Sequence, residues 1–107
     1  MLQEVKDNNY EKEVIEHKGV VVADFFATWC APCRMMGIVF DELNTHYHGK
    51  VKIVKCDIEN NSIAVKKHTI GSVPTIIIFK DGEIVQKIVG TKSKKDIQSI
   101  IDSSLES

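Results

Sequence analysis

The stretch "VVVADFFA" at residues 20–27 constrains this chain more than any other. It is apolar apart from Asp24 and rich in β-branched and aromatic side chains, which favour strands. It also lacks the alternation of a half-solvated strand, so both of its faces have to be covered. Such a strand belongs in the middle of a sheet with helices packed above and below it. The chain must therefore supply further strands and amphipathic helices.

It supplies both. "VKIVKCDI" (51–58), "TIIIFK" (75–80) and "EIVQKIV" (83–89) are three more β-branched runs, and "LQEV" (2–5) reads as a weaker edge strand. Asp81-Gly82 joins the last two strong runs, the pair that a two-residue hairpin prefers. Between strands lie helical signals. Asn8 followed by Glu11 predicts a capping box opening a helix to about residue 17. Met36, Phe40, Leu43 and Tyr47 share one face of a helix over 32–48. Asn61 or Ser62 is expected to cap a short third helix with Ile63 and Lys67 on one side. Ser93 and Asp96 open a fourth, with Ile97, Ile100, Ile101 and Leu105 inward. The order βαβαβαββα predicts an α/β fold, a central mixed five-stranded sheet flanked by four helices.

The 107 residues suit a single domain spanning 1–107. A net charge of −1 disfavours nucleic acid or an anionic membrane as the main partner. The one basic cluster, Lys92, Lys94 and Lys95, reads as a solvated helix start. No apolar run approaches the roughly 20 residues of a membrane span. The first residues show neither a basic region nor an apolar core, so no signal peptide is expected and the cytoplasm is the expected location. In that compartment three cysteines make a poor disulfide framework and a better redox or metal pair.

Cys30 and Cys33, in "WCAPC" (29–33), fall where the central strand feeds the second helix, the edge at which open α/β sheets carry their sites. Such a pair can bind metal, staple the chain or exchange electrons. Twelve residues separate Cys33 from His46, as in a zinc finger, but His48 follows after one residue instead of three to five. Imidazoles at i and i+2 point to different sides of a helix. No metal site is expected. A staple closing so small a loop removes little entropy from the unfolded chain. Exchange has positive support. Unpaired N–H groups and the dipole at a helix start favour a Cys30 thiolate. Pro32 suits the first helical turn. Cys33 lies one turn on, placed to resolve a mixed disulfide formed by Cys30.

Asp24, the only charge in the central strand, is the candidate base for Cys33, because burial raises a carboxyl pKa toward neutrality. The plainer alternative is a hydrogen-bonded structural aspartate. Lys55, on the neighbouring strand, is either a partner that tunes Asp24 or a surface lysine. Cys56 reads as a small core residue, with a regulatory thiol as the alternative. Met35 and Met36 flank the pair, Met36 as core filling.

With "DFFATWCAPC" (24–33), "KCDIE" (55–59), "VPTIIIFKDGE" (73–83) and "VG" (89–90) in this order and spacing, the chain resembles the thioredoxin family along essentially its whole length. The resemblance implies the thioredoxin fold, a Cys30–Cys33 disulfide in the oxidised form, Cys30 as nucleophile, Cys33 as resolving cysteine and Asp24 as buried proton acceptor. It implies that Pro74 is a cis-proline facing the cysteines and that the backbone of Val73 pairs with substrate. It implies a flat apolar docking surface formed by Trp29, Ala31, Pro32, Ile58, Val73, Pro74 and Gly90. For Ile58 and Gly90, packing and turn geometry are equal alternatives.

Three positions depart from the family pattern: Ala31 replaces the commonest glycine, Ile38 after Gly37 replaces a helix-kinking proline, and Ser72 replaces a frequent glycine. The expected activity is reduction of disulfides in client proteins by a monomer without cofactor, which a thioredoxin reductase then re-reduces. Its rivals are the same chemistry run as an oxidase or isomerase, and a docking module of a larger complex.

Overall fold

The order of elements follows from the alternation of β-branched runs and helical faces. The computed structural model describes residues 2–106. Strand β1 (Gln3–Val5) is followed by a short helix (Glu11–Ile15), then β2 (Val20–Phe26) and α1 (Ala31–Tyr47). Next come β3 (Lys52–Asp57), a tight turn (Ile58–Asn60) and α2 (Ser62–Lys67). The hairpin β4 (Thr75–Lys80) and β5 (Glu83–Val89) leads to α3 (Lys94–Glu106). The strands form one sheet in the order β1-β3-β2-β4-β5. β3 runs parallel to β1 and β2, while β4 is antiparallel to β2 and β5. This is the mixed five-stranded sheet with four helices that the sequence predicts.

β2 lies at the centre of the sheet and explains its own composition. Val20 and Val22 pack with Phe40, Leu43, Ile97 and Ile101 on the face covered by α1 and α3. Val21, Ala23 and Phe25 pack with Val14, Val54, Cys56 and Phe79 on the other face. Successive residues thus fill two separate cores, and neither parity can be polar without cost. Asp24 breaks that rule. It shares the parity of Val20 and Val22 and is buried.

The hairpin turn is the predicted Asp81-Gly82, both residues with positive φ (51° and 83°). Gly82 is required for a second reason, because a Cβ there would collide with the Ile15 carbonyl oxygen. Ile78 opposes Gln86 while Phe79 opposes Ile84, so Val85 bulges from the edge strand.

Local details depart from the sequence reading. Asn8 does not cap the first helix. Asn9 instead accepts the Lys6 N–H with its side chain at 2.8 Å, and Tyr10, with no side-chain cap, begins the helix. Burial of Tyr10 and Val14 holds that segment in a wide turn, in which the Glu16 N–H reaches the Glu11 carbonyl at 2.9 Å. α2 is capped from a distance: Asp7 accepts the Ile63 N–H and the Ser62 hydroxyl, both at 3.1 Å. Its inward residue is Ala64, and Ile63 faces solvent. Ser93 does cap α3, accepting the Asp96 N–H at 3.1 Å. Leu105, however, is exposed, and Ser104 takes the inward position with its hydroxyl donated to the Ile100 carbonyl at 3.0 Å. α1 runs unbroken through Gly37 and Ile38. No helix among the described residues is long and apolar enough to cross a membrane.

Candidate active site

β2 ends at Phe26 and α1 begins at Ala31, leaving a four-residue connection that delivers Cys30 to the helix cap. Cys30 has extended φ/ψ, and its N–H donates to the Ala27 carbonyl at 3.2 Å. Its sulfur accepts the Cys33 N–H at 3.2 Å, so a backbone donor orphaned by helix geometry points at it. Pro32 falls in the first helical turn, where its missing N–H leaves nothing unmade. Cys30 and Cys33 are joined as a disulfide with Cα atoms 5.2 Å apart. Both are nearly enclosed, at 6% and 4% exposure, against Ala27, Phe26, Ile58 and Val73.

The loop before β4 closes over the pair from the other side. Val73-Pro74 is a cis peptide, and the Val73 carbonyl oxygen lies 3.9 Å from the Cys30 sulfur. Two hydrogen bonds fix this loop. The Thr75 hydroxyl donates to the Ser72 carbonyl at 2.7 Å, and the Gly90 N–H donates to the Pro74 carbonyl at 2.9 Å. Gly90 has φ of 92° with open space around its Cα, so the turn geometry calls for glycine there.

Asp24 is nearly inaccessible, and neither carboxylate oxygen has a hydrogen-bond partner. Burial pushes its pKa up to about 7, against the opposing charge of Lys55. Neither oxygen receives a protein hydrogen bond of the kind that the structural-aspartate alternative calls for. Lys55 stands opposite Asp24 in the β2–β3 register without bonding to it, and its ammonium rests 4.7 Å from the centre of the Phe26 ring. Cys56, opposite Phe25, is fully buried, and burial pushes its thiol up, with Asp24 adding to the effect. It is a protonated core residue away from the pair.

The predicted docking surface divides in two. Trp29, Ile58 and Val73 line a groove of ≈ 380 Å³ together with Val65 and Ile70. Trp29 is 70% exposed, a large aromatic surface left to solvent beside a disulfide. Ala31 and Pro32 line a different groove of ≈ 620 Å³, on the other side of the pair, between α1 and residues 91–94. Sequence reasoning missed Val65, Ile70 and the 91–94 wall. The first two reach the site only through the path of the chain after β3. Lys92 and Lys94 were visible as a cluster but belonged to a segment with no chemical motif.

A disulfide at a helix N-terminus beside an extended backbone loop can exchange with a thiolate, which attacks one of its sulfurs to form a mixed disulfide. The comparisons agree with that chemistry. The thioredoxin family model matches residues 1–103. Thioredoxin of Staphylococcus haemolyticus is 41% identical over 101 residues, covering 94% of this chain and 95% of that protein. Thioredoxins of Staphylococcus epidermidis and Staphylococcus aureus are 40% identical with the same coverage. The chain therefore belongs to the thioredoxin family, whose thiol–disulfide oxidoreductase chemistry it carries on Cys30 and Cys33.

Proposed function

We propose that this chain works in the reducing direction, as a monomeric single-domain protein-disulfide reductase of the cytoplasm. In the dithiol form the Cys30 thiolate attacks one sulfur of a client disulfide. That bond breaks, a Cys30–client mixed disulfide forms, and one client sulfur leaves as a thiolate that takes a proton from solvent. Cys33 then gives its proton to the Asp24 carboxylate and attacks the Cys30 sulfur. The second client sulfur leaves as a thiolate and is protonated by solvent, the Asp24 proton returns to solvent, and the Cys30–Cys33 disulfide remains. The client has gained two electrons and the chain has lost two. A thioredoxin reductase returns them, and no bound cofactor takes part in this chain's own steps.

One observation carries the reading. Asp24 is buried without a hydrogen bond on the strand that ends at the cysteine pair, with its pKa near 7. An unsatisfied buried carboxyl costs stability, and a proton-transfer role gives a reason to retain it. Two further supports concern Cys30 and its partner. The Cys33 N–H on the Cys30 sulfur favours the thiolate as attacking and leaving group. The Val73 carbonyl beside that sulfur offers an extended client segment a backbone acceptor. Trp29, Ile58, Ala31, Pro32 and Gly90 border the approach, while Lys55 moderates Asp24 by its charge.

The test is reduction of insulin by a dithiol, followed by its precipitation. The chain should accelerate it strongly, and the double substitution Cys30→Ser, Cys33→Ser should abolish the acceleration. Retained acceleration in the double variant would sink the mechanism.

A further inference from the structure

The groove of ≈ 620 Å³ between α1 and residues 91–94 is the larger of the two beside the disulfide, and its chemistry differs from that of the other. Its floor is apolar: Pro32, Met35 and Val39. Met35 is 65% exposed, although the neighbouring Met36 is buried in the core. An unbranched thioether left in solvent at the mouth of a groove adapts to whatever side chain is laid on it. The volume lies within the range of ligand-binding clefts.

The rim is basic. Lys92 and Lys94 line it, whereas Lys95, their neighbour in sequence, lies on a different surface with Gln98 and Asp102. The structure thus splits the cluster that the sequence presents as one solvated run. Lys94 is 3.3 Å from Glu42, each about half exposed, so its charge is partly matched. Asp96 belongs to the first turn of α3, with its N–H capped by Ser93. Lys92 forms no ion pair among the described residues. By contrast, the groove containing Trp29 has no charged residue in its lining.

We infer that this second groove selects clients: it receives the segment next to a client disulfide when that segment carries an acidic and an apolar side chain. The apolar side chain lies on Pro32, Met35 and Val39, and the carboxylate faces Lys92 and Lys94. Two observations fix this occupant. The groove reaches the redox pair through Ala31 and Pro32, which lie between the two cysteines in sequence, so it is within reach of one flank of a client whose sulfur meets Cys30. The positive rim complements a carboxylate and repels a basic segment. The inference rests on the reductase reading and adds a substrate preference to it.

The test uses two synthetic peptides with the same internal disulfide, one flanked by Glu-Leu and the other by Lys-Leu. A small uncharged disulfide, 2-hydroxyethyl disulfide, serves as the control. The reduced chain should show a kcat/KM for the Glu-Leu peptide about three- to tenfold above that for the Lys-Leu peptide at low ionic strength. High salt should shrink the ratio toward one, as exposed charges are screened. The double substitution Lys92→Gln, Lys94→Gln should also bring the ratio to about one, and Met35→Ala should slow both peptides. Neither variant should change reduction of the small disulfide. Equal rates for the two peptides, or a preference that survives in the lysine variant, overturn the groove assignment alone. If the wild-type chain fails to reduce even the small disulfide, the reductase reading falls with it.

Discussion

The Tyr10–His68 pair and Asp24, on opposite faces of the sheet, are buried polar groups treated differently. On the face covered by the short helix and α2, the Tyr10 hydroxyl and His68 Nε2 are 2.7 Å apart, inside a cage formed with Phe25 and Phe79. Asn61 on that side donates to the carbonyls of Val5 and Asp57, both at 2.9 Å, leaving only its own oxygen unpaired. On the opposite face, Asp24 has no hydrogen bond from either oxygen. Tyr47 on that face is satisfied, its hydroxyl donating to the Gln98 carbonyl at 3.1 Å and to Asp102 at 2.7 Å, so the unmet acid is particular to Asp24, on the strand that leads to the redox pair. A fold able to satisfy Tyr10 and His68 is not short of donors in general. With no donor to stabilise its charge, the Asp24 carboxyl has its pKa pushed up to about 7, so both of its protonation states are accessible near neutral pH.

The contrast predicts that changes on the redox side destroy turnover, while those on the other side cost only stability. Cys33→Ser should have the largest effect. Cys30 would still attack a client, but nothing would resolve the mixed disulfide, so catalytic turnover should be lost and a covalent complex should accumulate on a non-reducing gel. Cys56→Ala should leave turnover at the wild-type value and lower stability by about 1 kcal/mol, the cost of a small core truncation. A loss of turnover in Cys56→Ala would erase the distinction between the cysteines.

Asp24→Asn comes next. Turnover near pH 7 should fall about tenfold, less than the roughly 10²–10⁴-fold typical of general acid–base catalysis, because solvent can also accept a thiol proton. The titration near pH 7 should disappear from the rate profile. Stability should move the other way. Because the folded pKa of Asp24 lies above its unfolded value, the carboxyl favours folding at low pH, and that contribution fades as pH rises from about 4 to about 7. The asparagine variant removes this dependence, so above pH 7 it should be more stable than wild type, by on the order of a few kcal/mol. Denaturant midpoints at pH 5 and pH 8 decide the matter. A variant less stable at pH 8, with unchanged rates, would make Asp24 a structural residue.

This division was only partly legible in the sequence. The central strand announced itself because continuous burial forbids alternation, and Asp24 stood out as the one exception in it. The cysteine pair was visible because its spacing fits a single helical turn. The Asn8 cap failed because asparagine bonds locally, so its neighbour Asn9 captured the Lys6 N–H and buried Tyr10 set the helix start. Asp7 as the cap of α2 was invisible because the pairing spans more than fifty residues. Leu105 was misassigned because α3 ends at the rim of the core, where one residue of helical phase moves a side chain from core to solvent. The groove lined by Lys92 and Lys94 had no motif at all, since it exists only where α1 and the α3 approach meet.

The smallest predicted effect lies at the Tyr10–His68 pair and runs opposite to that of Asp24. Burial lowers the pKa of His68, and the charges of Lys67 and Lys87 lower it further, while Glu11 opposes them. Tyr10 faces the same imidazole with its hydroxyl. A histidine with a depressed folded pKa supports folding above its unfolded value of about 6.5, and that support is lost as pH falls through the folded pKa. Acidification therefore costs stability at His68 over a range in which it restores stability at Asp24. Two variants separate the contributions. His68→Leu should lose less stability than wild type between pH 8 and pH 5 in urea titrations. Tyr10→Phe should lower stability at pH 8 by about 1 kcal/mol, the worth of one hydrogen bond, with disulfide reduction unchanged. If His68→Leu kept the wild-type pH dependence, the pair would be packing alone, and the pH response of the fold would belong to Asp24.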